Sequence, residues 1–352
     1  MTYRVLAGLV TVFAVALTVG MAWFVMGTPG SVFSDESERM VPPITTNGAP
    51  LIVTVKQGEN AKTIGAELQR QGVIRSSRLF EIMVGLRGVQ NSLEAGDYEF
   101  DPGTPVVVVV DRIAAGKTAS RDVVIPEGRR VEEVGDILEL AGVISKDRFL
   151  AALVKSQYDE PFLQQVSAKS LEGFVFPAKY EFHRGAKAEE VVDTLLRGFQ
   201  TNVADKVQLE GQDLTLEQVV TLASIVEREA QTPSERPIIA SVFLNRLKAG
   251  IPLQADPTVQ YAVARDPASV RQYTYWKKEL TVGDLKIDSP YNTYVVASLP
   301  PGPIANPGLA SIEAVVRPAV TNYLFFEAKG DGTHVFAETL EEHLRNVEKY
   351  RQ

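Results

Sequence analysis

The chain aligns with itself over 28 residues without a gap, and this internal repeat restricts its fold more than any other feature. The segment "VTVKQGENAKTIGAELQRQGVIRSSRLF" (53–80) matches "VVIPEGRRVEEVGDILELAGVISKDRFL" (123–150) at an offset of 70 residues. After a 12-residue insertion, "YEFDPG" (98–103) matches "YEFHRG" (180–185). A repeat of this length predicts one supersecondary unit that is built twice.

Each copy has the pattern of a small α/β module over residues 51–120 and 121–200. The order is a strand, a Gly turn, an amphipathic helix, "GVI", a second helix, a strand ending in Tyr-Glu-Phe, and a further helix. Gly72 and Gly142 fit the position after a helix where φ is positive. Duplication for structure alone and duplication for carbohydrate binding both fit, because a repeat does not reveal its ligand.

An uncharged apolar segment near the N-terminus predicts a membrane anchor. Residues 5–26, "VLAGLVTVFAVALTVGMAWFVM", would form a helix of about 33 Å, which is long enough to cross the hydrocarbon core. The segment exceeds the apolar core of a cleaved signal peptide, so we expect it to be retained. Arg4 precedes it and Asp35 is the next charge, which places residues 1–4 in the cytoplasm. Residues 27–50 then read as a flexible tether.

Composition excludes several classes of protein. The formal net charge of -8 argues against a nucleic-acid-binding protein, which needs an excess of Lys and Arg. The absence of cysteine excludes disulfides, thiolate metal sites and a cysteine nucleophile. The three histidines are widely spaced and form no metal-ligand motif, so the sequence predicts neither a metal nor a cofactor.

The segment "TLASIVEREAQ" (221–231) aims an acidic residue at the apolar face of a predicted helix. Thr215 and Gln218 have the spacing of a capping box, which starts the helix near Leu216. At about 100° per residue, Glu227 falls among the apolar side chains, whereas Arg228 points to solvent and Glu229 lies at the rim. A carboxylate on the buried face needs a particular explanation.

Two explanations of Glu227 follow from the cost of burying a charge. An ionised carboxylate in an apolar environment must pair with a cation, for which Arg236 and Arg246 are the candidates. A carboxyl group that instead keeps its proton is what general-acid cleavage of a glycosidic bond requires. Structural ion pairs perturb carboxyl groups too, so the helix alone leaves both explanations open.

The region after this helix completes a mainly helical domain, which we expect over residues 201–352. A second helix is predicted over 234–250, with Ser234 as its N-cap and Gly250 as its stop. Residues 322–338 predict a β-hairpin that turns at Gly330-Asp331-Gly332 and walls the site or completes a sheet. The loops between, "IPLQADPTVQYA" and "SPYNTYVVASLPPGPIANPG", carry the aromatic, amide and hydroxyl groups that sugar recognition needs.

These motifs resemble, in the same order along the chain, those of the YceG-like (MltG) endolytic murein transglycosylases. The motifs are "LASIVEREA", "ERPIIASVFLNRL", "LQADPTVQYA", "YNTY", "LPPGPIANPG" and the hairpin ending "HVF". One departure is "PAKY" at 177–180, where the family usually has Pro-Asp-Thr-Tyr. The resemblance implies that the N-terminal part contains a LysM-like module. Together with the elements predicted above, the expected fold is α+β, with a transmembrane helix, duplicated small α/β modules and a mainly helical catalytic domain with a β-hairpin.

The resemblance also implies the reaction and assigns its catalytic residue to Glu227. The family cleaves the MurNAc-GlcNAc β-1,4 bond within nascent peptidoglycan strands, leaves 1,6-anhydro ends, and uses no cofactor. Because the C6 hydroxyl of the sugar itself attacks C1, no second carboxylate is needed to activate water. The implied location is the bacterial inner membrane, with the catalytic body in the periplasm near membrane-bound peptidoglycan synthases.

Seven further residues are expected to form the substrate-binding site, from two loops and the second helix. They are Asn245, which would tie that helix to the first loop, and Gln254, Asp256, Thr258, Tyr291, Asn292 and Tyr294. Asp256 precedes Pro257 and fits equally well as a helix cap. Two other functions stay open: a hydrolysing muramidase in which Asp256 or Glu229 positions water, and a non-catalytic peptidoglycan-binding scaffold.

Overall fold

A computed structural model describes residues 50–167, 169–209 and 213–350 of the chain. It has an α+β architecture in which helices accompany three two-stranded antiparallel sheets. The chain divides into two compact units, the first ending at Lys117 and the second beginning at Thr118. The predicted cytoplasmic residues, the predicted anchor at 5–26 and all but the last residue of the tether lie outside the described residues. Within the described ranges, every helix is too short or too polar to span a membrane.

The first unit is a small α/β module. Its elements are β1 (Leu51–Val55), α1 (Ala61–Arg70), α2 (Ser77–Arg87), β2 (Gly96–Phe100) and α3 (Val106–Ala114). The strands are antiparallel, with Val53 opposite Tyr98, and both side chains are fully buried. Asn60 begins α1 because its side chain accepts a hydrogen bond from the N–H of Thr63 at 3.0 Å.

The second unit begins with the same order of elements. They are β3 (Ser120–Val124), α4 (Val131–Leu140), α5 (Lys146–Ala152), β4 (Lys179–His183) and α6 (Ala188–Phe199). Val123 lies opposite Tyr180, which is the same pairing as in the first unit. Gly72 and Gly142 have φ of 80° and 71°, as the positions after the helices predict. The repeated sequence pattern therefore forms the same local structure in both places.

The rest of the second unit is mainly helical. It contains α7 (Leu216–Glu229), α8 (Arg236–Ala249), α9 (Asp256–Val263), α10 (Pro267–Tyr273), α11 (Leu309–Val316), β5 (Phe325–Ala328), β6 (His334–Ala337) and α12 (Leu340–Tyr350). Helix α7 is the centre of this region and packs against α8, α9 and α11. Its residues from Val219 to Val226 are all buried.

Local sequence signals correctly predicted the start of α7 and the end of α8. The side chains of Thr215 and Gln218 each accept a hydrogen bond from the other residue's N–H, which confirms the predicted capping box. Gly250 ends α8 with φ of 67°, also as predicted. The prediction that Ser234 caps α8 is wrong, because Ser234 lies in a 3₁₀ turn, Pro233–Glu235, and the helix begins only at Arg236.

The predicted hairpin is confirmed and is held to the turn before α8. Strands β5 and β6 pair antiparallel as a sheet of their own, so the hairpin does not complete a larger sheet. The carboxylate of Glu235 accepts from the backbone N–H of His334 at 2.9 Å and contacts its Nδ1 at 2.7 Å. His334 is thus a buried strand residue that attaches the hairpin.

Candidate active site

Glu227 lies in the last turn of α7 with its carboxylate directed at the start of α11. Its Oε2 accepts hydrogen bonds from the backbone N–H of Gly308 at 3.0 Å and from the hydroxyl of Ser311 at 2.7 Å. Gly308 is the N-cap of α11, so the positive end of that helix dipole faces the carboxylate. The side chain is only 8 % exposed, as its position on the apolar face predicts.

Of the two arginines predicted as possible partners of Glu227, one contacts its carboxylate. The NH2 group of Arg236, at the first residue of α8, lies 3.4 Å from Glu227 Oε1. Arg246, the other candidate partner, donates instead to the carbonyl groups of Pro252 and Leu324 and to Gln254 Oε1. The cation contact required by a structural ion pair is present, but it is long and holds only one of the two oxygens.

Arg228 corrects the prediction that the side chain after Glu227 points to solvent. Its guanidinium carbon lies 3.9 Å from the centre of the Trp276 ring, and its NH1 group donates to the carbonyl of Gly128 at 3.5 Å. Burial is the main reason that the pKa of Arg228 is lowered. Helical periodicity could not predict this position because the segment that covers Arg228 follows it by nearly 50 residues.

Asn306, in the turn before α11, holds three separate segments together. Its buried Oδ1 accepts from the N–H groups of Gly173 at 2.8 Å and Val175 at 3.1 Å. Its Nδ2 donates to the carbonyl of Arg129 and to Glu172 Oε1, at 2.8 and 3.1 Å. The proline-rich turn "LPPGPIANPG" is therefore a structural junction, and it fixes where Gly308 meets Glu227.

Glu229 and Asp256, the two residues considered for positioning water, lie near enough for the charge of Asp256 to act on Glu229. Glu229 ends α7 and Asp256 begins α9. Burial, and then the charge of Asp256, raise the pKa of Glu229 to about 8, against the opposing charge of Arg228. Residues two apart on a helix point about 200° apart, so Glu229 faces a different side of α7 from Glu227.

The raised pKa of Glu229 predicts how the stability of the second unit depends on pH. Its folded-state pKa lies above the ordinary 4.5, so the folded chain retains a proton that the unfolded chain releases. The contribution of Glu229 to the free energy of unfolding is therefore fully present below about pH 4.5, and it is lost as pH rises through about 8. We expect Glu229→Gln to raise Tm relative to the parent at pH 8 but hardly at pH 4, as measured by calorimetry. The exposed Glu348→Gln is the control, and an equal effect of Glu229→Gln at every pH contradicts the prediction.

Four of the predicted substrate-binding residues reach solvent. Gln254 and Asp256 are exposed, and Tyr291 and Tyr294 are partly buried. The hydroxyl of Tyr294 donates to Asp256 Oδ1 at 2.6 Å, and the ring of Tyr291 packs against Tyr261 with centroids 4.7 Å apart. The alternative that Asp256 caps a helix is wrong, because Asp256 is the first residue of α9 and Ala255 occupies the cap.

The other three turn towards the protein, and for Thr258 and Asn292 this corrects the prediction that they line a glycan cleft. Thr258 is fully buried and its hydroxyl bonds to the carbonyl of Ala255 and to Thr293. Asn292 is also buried and donates to the carbonyl groups of Leu285 and Ile287.

Asn245 is the third of these residues. It donates to the carbonyl groups of Thr321 and Tyr323, so it ties α8 to the segment before β5 and not to the loop at Gln254. Its amide nitrogen donates both of its hydrogens to backbone carbonyl groups, and the residue type alone does not predict this bonding pattern.

Sequence reasoning missed Glu127, Gly308 and Ser311, which all lie beside Glu227. Glu127 Oε2 is 3.9 Å from the same NH2 group of Arg236 that Glu227 contacts. Ser311 stands three residues after Gly308, a spacing that places both at one helix start, but nothing local indicates which carboxylate they bind. Among the described ranges, no three acidic or histidine side chains form a group that could hold a metal ion.

Comparison with known proteins gives the same family that the sequence motifs resemble. The family model described as "YceG-like family" matches residues 53–349. The endolytic murein transglycosylase of Bacillus subtilis (strain 168) is 32 % identical over 313 residues, which cover 85 % of this chain and 84 % of that protein. The endolytic murein transglycosylase of Streptococcus pneumoniae serotype 2 (strain D39 / NCTC 7466) is 27 % identical over 335 residues, 88 % of this chain and 60 % of that longer protein.

A solved structure also resembles this chain. The 2.6 Å crystal structure of a YceG-like protein from Listeria monocytogenes is 31 % identical, with a TM-score of 0.56. The match covers 84 % of this chain and 98 % of that one.

Proposed function

The chain belongs to the YceG-like family, and from this membership we propose that it is an endolytic murein lytic transglycosylase with Glu227 as its acid–base residue. The observation that carries the proposal is the similarity, over most of both chains, to the endolytic murein transglycosylase of Bacillus subtilis. The surroundings of Glu227 support the residue assignment, because three donors hold this nearly buried carboxylate in one position at the place where the family motif has its catalytic residue.

The reaction needs one carboxyl group that acts twice. A proton passes to the glycosidic oxygen as the bond from C1 of the N-acetylmuramic acid residue breaks. The C6 hydroxyl of the same sugar bonds to C1, and its proton returns to the carboxylate. The nucleophile belongs to the substrate, so its effective concentration is high and no water is consumed.

Product mass tests this function directly. The full-length chain is incubated with purified peptidoglycan glycan strands, and the fragments are analysed by mass spectrometry. Fragments that end in 1,6-anhydro-MurNAc, with cuts inside the strand, are expected. Fragments with reducing ends and one added water identify a hydrolysing muramidase instead, and an absence of cleavage leaves the peptidoglycan-binding scaffold.

Asp256 separates the transglycosylase from the muramidase in a second way. If Asp256 only contacts the glycan, Asp256→Asn loses about 1 kcal/mol of hydrogen bonding, so kcat/KM should fall by no more than about tenfold. If Asp256 activates water, the same variant should lose nearly all turnover. The measurement is the rate of fragment release by parent and variant, with the exposed Asp331→Asn as the control for an acidic-to-amide change.

The glycan-binding surface that we propose consists of the four outward-facing residues described above. Tyr291 and Tyr294 offer flat rings to sugar faces, and Gln254 and Asp256 offer polar groups to sugar hydroxyls. The backbone of Gln254 supports such a role, because its φ of 52° is unusual for a residue with a side chain and such conformations concentrate at binding sites.

We propose that residues 5–26 anchor the protein in the bacterial inner membrane and place its body in the periplasm. Support comes from the absence of charge in this segment and from Arg4 before it. An anchor would also bring the enzyme within reach of membrane-bound peptidoglycan synthases. Membrane fractionation of the full chain and of a chain without residues 1–26 tests the anchor, which predicts that only the full chain sediments with membranes.

The finer description of residues 51–120 and 121–200 as two LysM-like modules is also a proposal. It is supported by the shared order of elements and by the equivalent pairs Val53–Tyr98 and Val123–Tyr180. Binding of the Glu227→Gln chain to insoluble peptidoglycan, with and without residues 51–117, would measure how much the first module contributes to glycan affinity.

A further inference from the structure

The loop between β3 and α4 brings a second carboxyl group to Glu227. Glu127 Oε2 lies 3.9 Å from the NH2 group of Arg236, and Glu227 Oε1 lies 3.4 Å from the same group. The next residue, Gly128, is in close contact with Glu227, because a β-carbon there would lie 3.4 Å from Glu227 Cγ. Two acidic side chains 100 residues apart in sequence therefore share one guanidinium nitrogen.

Both carboxyl groups also lie against Gly308. The backbone N–H of Gly308 donates to Glu227 at 3.0 Å, and a β-carbon at Gly308 would lie 2.0 Å from Glu127 Oε1. Gly308 has φ of -72° and ψ of 163°, which any residue can adopt. The space that a side chain at position 308 would need is thus occupied by the carboxyl group of Glu127.

The two carboxyl groups differ in exposure and in their partners. The side chain of Glu227 is 8 % exposed and faces three donors, the N–H of Gly308, the hydroxyl of Ser311 and the guanidinium of Arg236. The side chain of Glu127 is 48 % exposed. Burial, then the charge of Glu227, raise the pKa of Glu127, and Arg236 opposes them. Burial and the neighbouring charge of Glu227 therefore both favour the protonated form of Glu127.

We propose that Glu127 is a positioning residue of the reaction centre, and that Glu127, Glu227 and Arg236 together hold the single proton that bond cleavage donates and regains. This inference rests on the proposed function. The pair gives its proton to the leaving glycosidic oxygen as the bond to C1 breaks. The C6 hydroxyl oxygen forms the new bond to C1, and its proton restores the pair, so the step needs no water or other reactant.

The other charged groups nearby do not replace Glu127. Arg129 and Arg228 flank the same loop, but Arg129 is paired with Glu133 at 2.7 Å and Arg228 is stacked on Trp276. Helix α11 contributes the Gly308 N–H and the Ser311 hydroxyl, which carry no net charge. Glu127 is therefore the acidic group that shares Arg236 with Glu227.

The internal repeat supplies a natural test substitution. Position 127 corresponds to Gln57 in the first copy, at the offset of 70 residues. Gly58 and Gly128, which follow these residues, have similar φ of 81° and 73°. Glutamine therefore suits this turn, and Glu127→Gln removes the charge without a conformational reason to unfold.

The experiment measures kcat and KM of the full-length chain on purified glycan strands between pH 4 and 9. Without Glu127, the reaction centre loses one of the two carboxyl groups that share Arg236, and we expect it to release its proton at a lower pH. We expect the alkaline limb of the kcat profile to move down by about one pH unit, which lowers kcat there about tenfold while KM stays nearly unchanged. The exposed Glu189→Gln is the control. A Glu127→Gln profile that superimposes on the parent's overturns the proposal.

A second variant tests the same carboxyl group by steric displacement. Gly308→Ala keeps the N–H that binds Glu227 but displaces the Glu127 carboxyl, whose flexible end can move away. It should shift the pH profile in the same direction, and combining it with Glu127→Gln should add little. Fully additive shifts would show that the two changes act independently and would refute the shared proton.

Thermal stability separates a failure of this inference from a failure of the proposed function. If the parent forms no anhydro products, the function is refuted, but the coupling can still be measured. A raised folded-state pKa at Glu127 costs stability as pH rises, so the Tm of Glu127→Gln relative to the parent should increase from pH 4 to pH 8. A difference in Tm that is independent of pH refutes the coupling.

Discussion

Glu227→Gln is expected to lower kcat for glycan cleavage by about a thousandfold or more, because general acid–base catalysis of this kind contributes about 10²–10⁴. Glutamine has the same shape, and its amide oxygen can still accept from Gly308 and Ser311, so the fold should persist. The loss should appear in kcat with KM little changed, since the proton transfer is made only in the transition state.

The measurement is the initial rate of anhydro-ended fragments by mass spectrometry, for the full-length parent and variant side by side. Glu313→Gln, an exposed glutamate on α11, is the matched control and should retain the parent's rate. A Glu227→Gln chain that cleaves as fast as the parent would refute the assignment of Glu227 as the acid–base residue. A parent that does not cleave, with a Glu227→Gln chain that fully replaces it in cells, would mean that the protein is a binding scaffold.

Asn306→Ala is expected to cause the largest loss of stability, about 3–5 kcal/mol. The change removes four hydrogen bonds and leaves the N–H groups of Gly173 and Val175 and the carbonyl of Arg129 without this partner. Each buried group that loses its only partner costs about 1–3 kcal/mol. The carbonyl of Arg129 keeps the backbone N–H of Asn306, which is why the lower part of the range applies to it.

Calorimetry of the full-length chain checks this effect. A loss of this size lowers Tm by at least about 6 °C in a unit of this length. The exposed Asn322→Ala should change Tm by less than about 2 °C. If Asn306→Ala has no larger effect than Asn322→Ala, the turn before α11 is not the junction that its hydrogen bonds indicate.

Local sequence rules predicted the elements around the site and the buried position of Glu227. The capping box at Thr215 and Gln218 and the stop at Gly250 depend on neighbours within three or four residues, so the sequence contains all the information they need. The hairpin and the repeated modules were predicted for the same reason. Assignment of Glu227 over Glu229 required only the helical period of the apolar residues.

The wrong predictions concern side chains whose contacts come from segments far away in the sequence. Arg228 was predicted to face solvent, but Trp276 covers it. Thr258 and Asn292 have residue types that suit sugar binding, yet both satisfy hydrogen bonds inside the protein. Polar side chains of these types serve either purpose, and only the position of the surrounding backbone decides between them.

Sequence patterns alone are enough to give the start of α7, the end of α8, the apolar face of α7 and the one acidic residue on that face. Only the tertiary structure decided what surrounds that acid: Gly308 and Ser311 from α11, Arg236 from α8, and Glu127 from the loop before α4. The physical reason is the range of the interactions. Helix periodicity and capping act over a few residues, whereas the charges that control a carboxyl group act through space and come from segments that packing brings together.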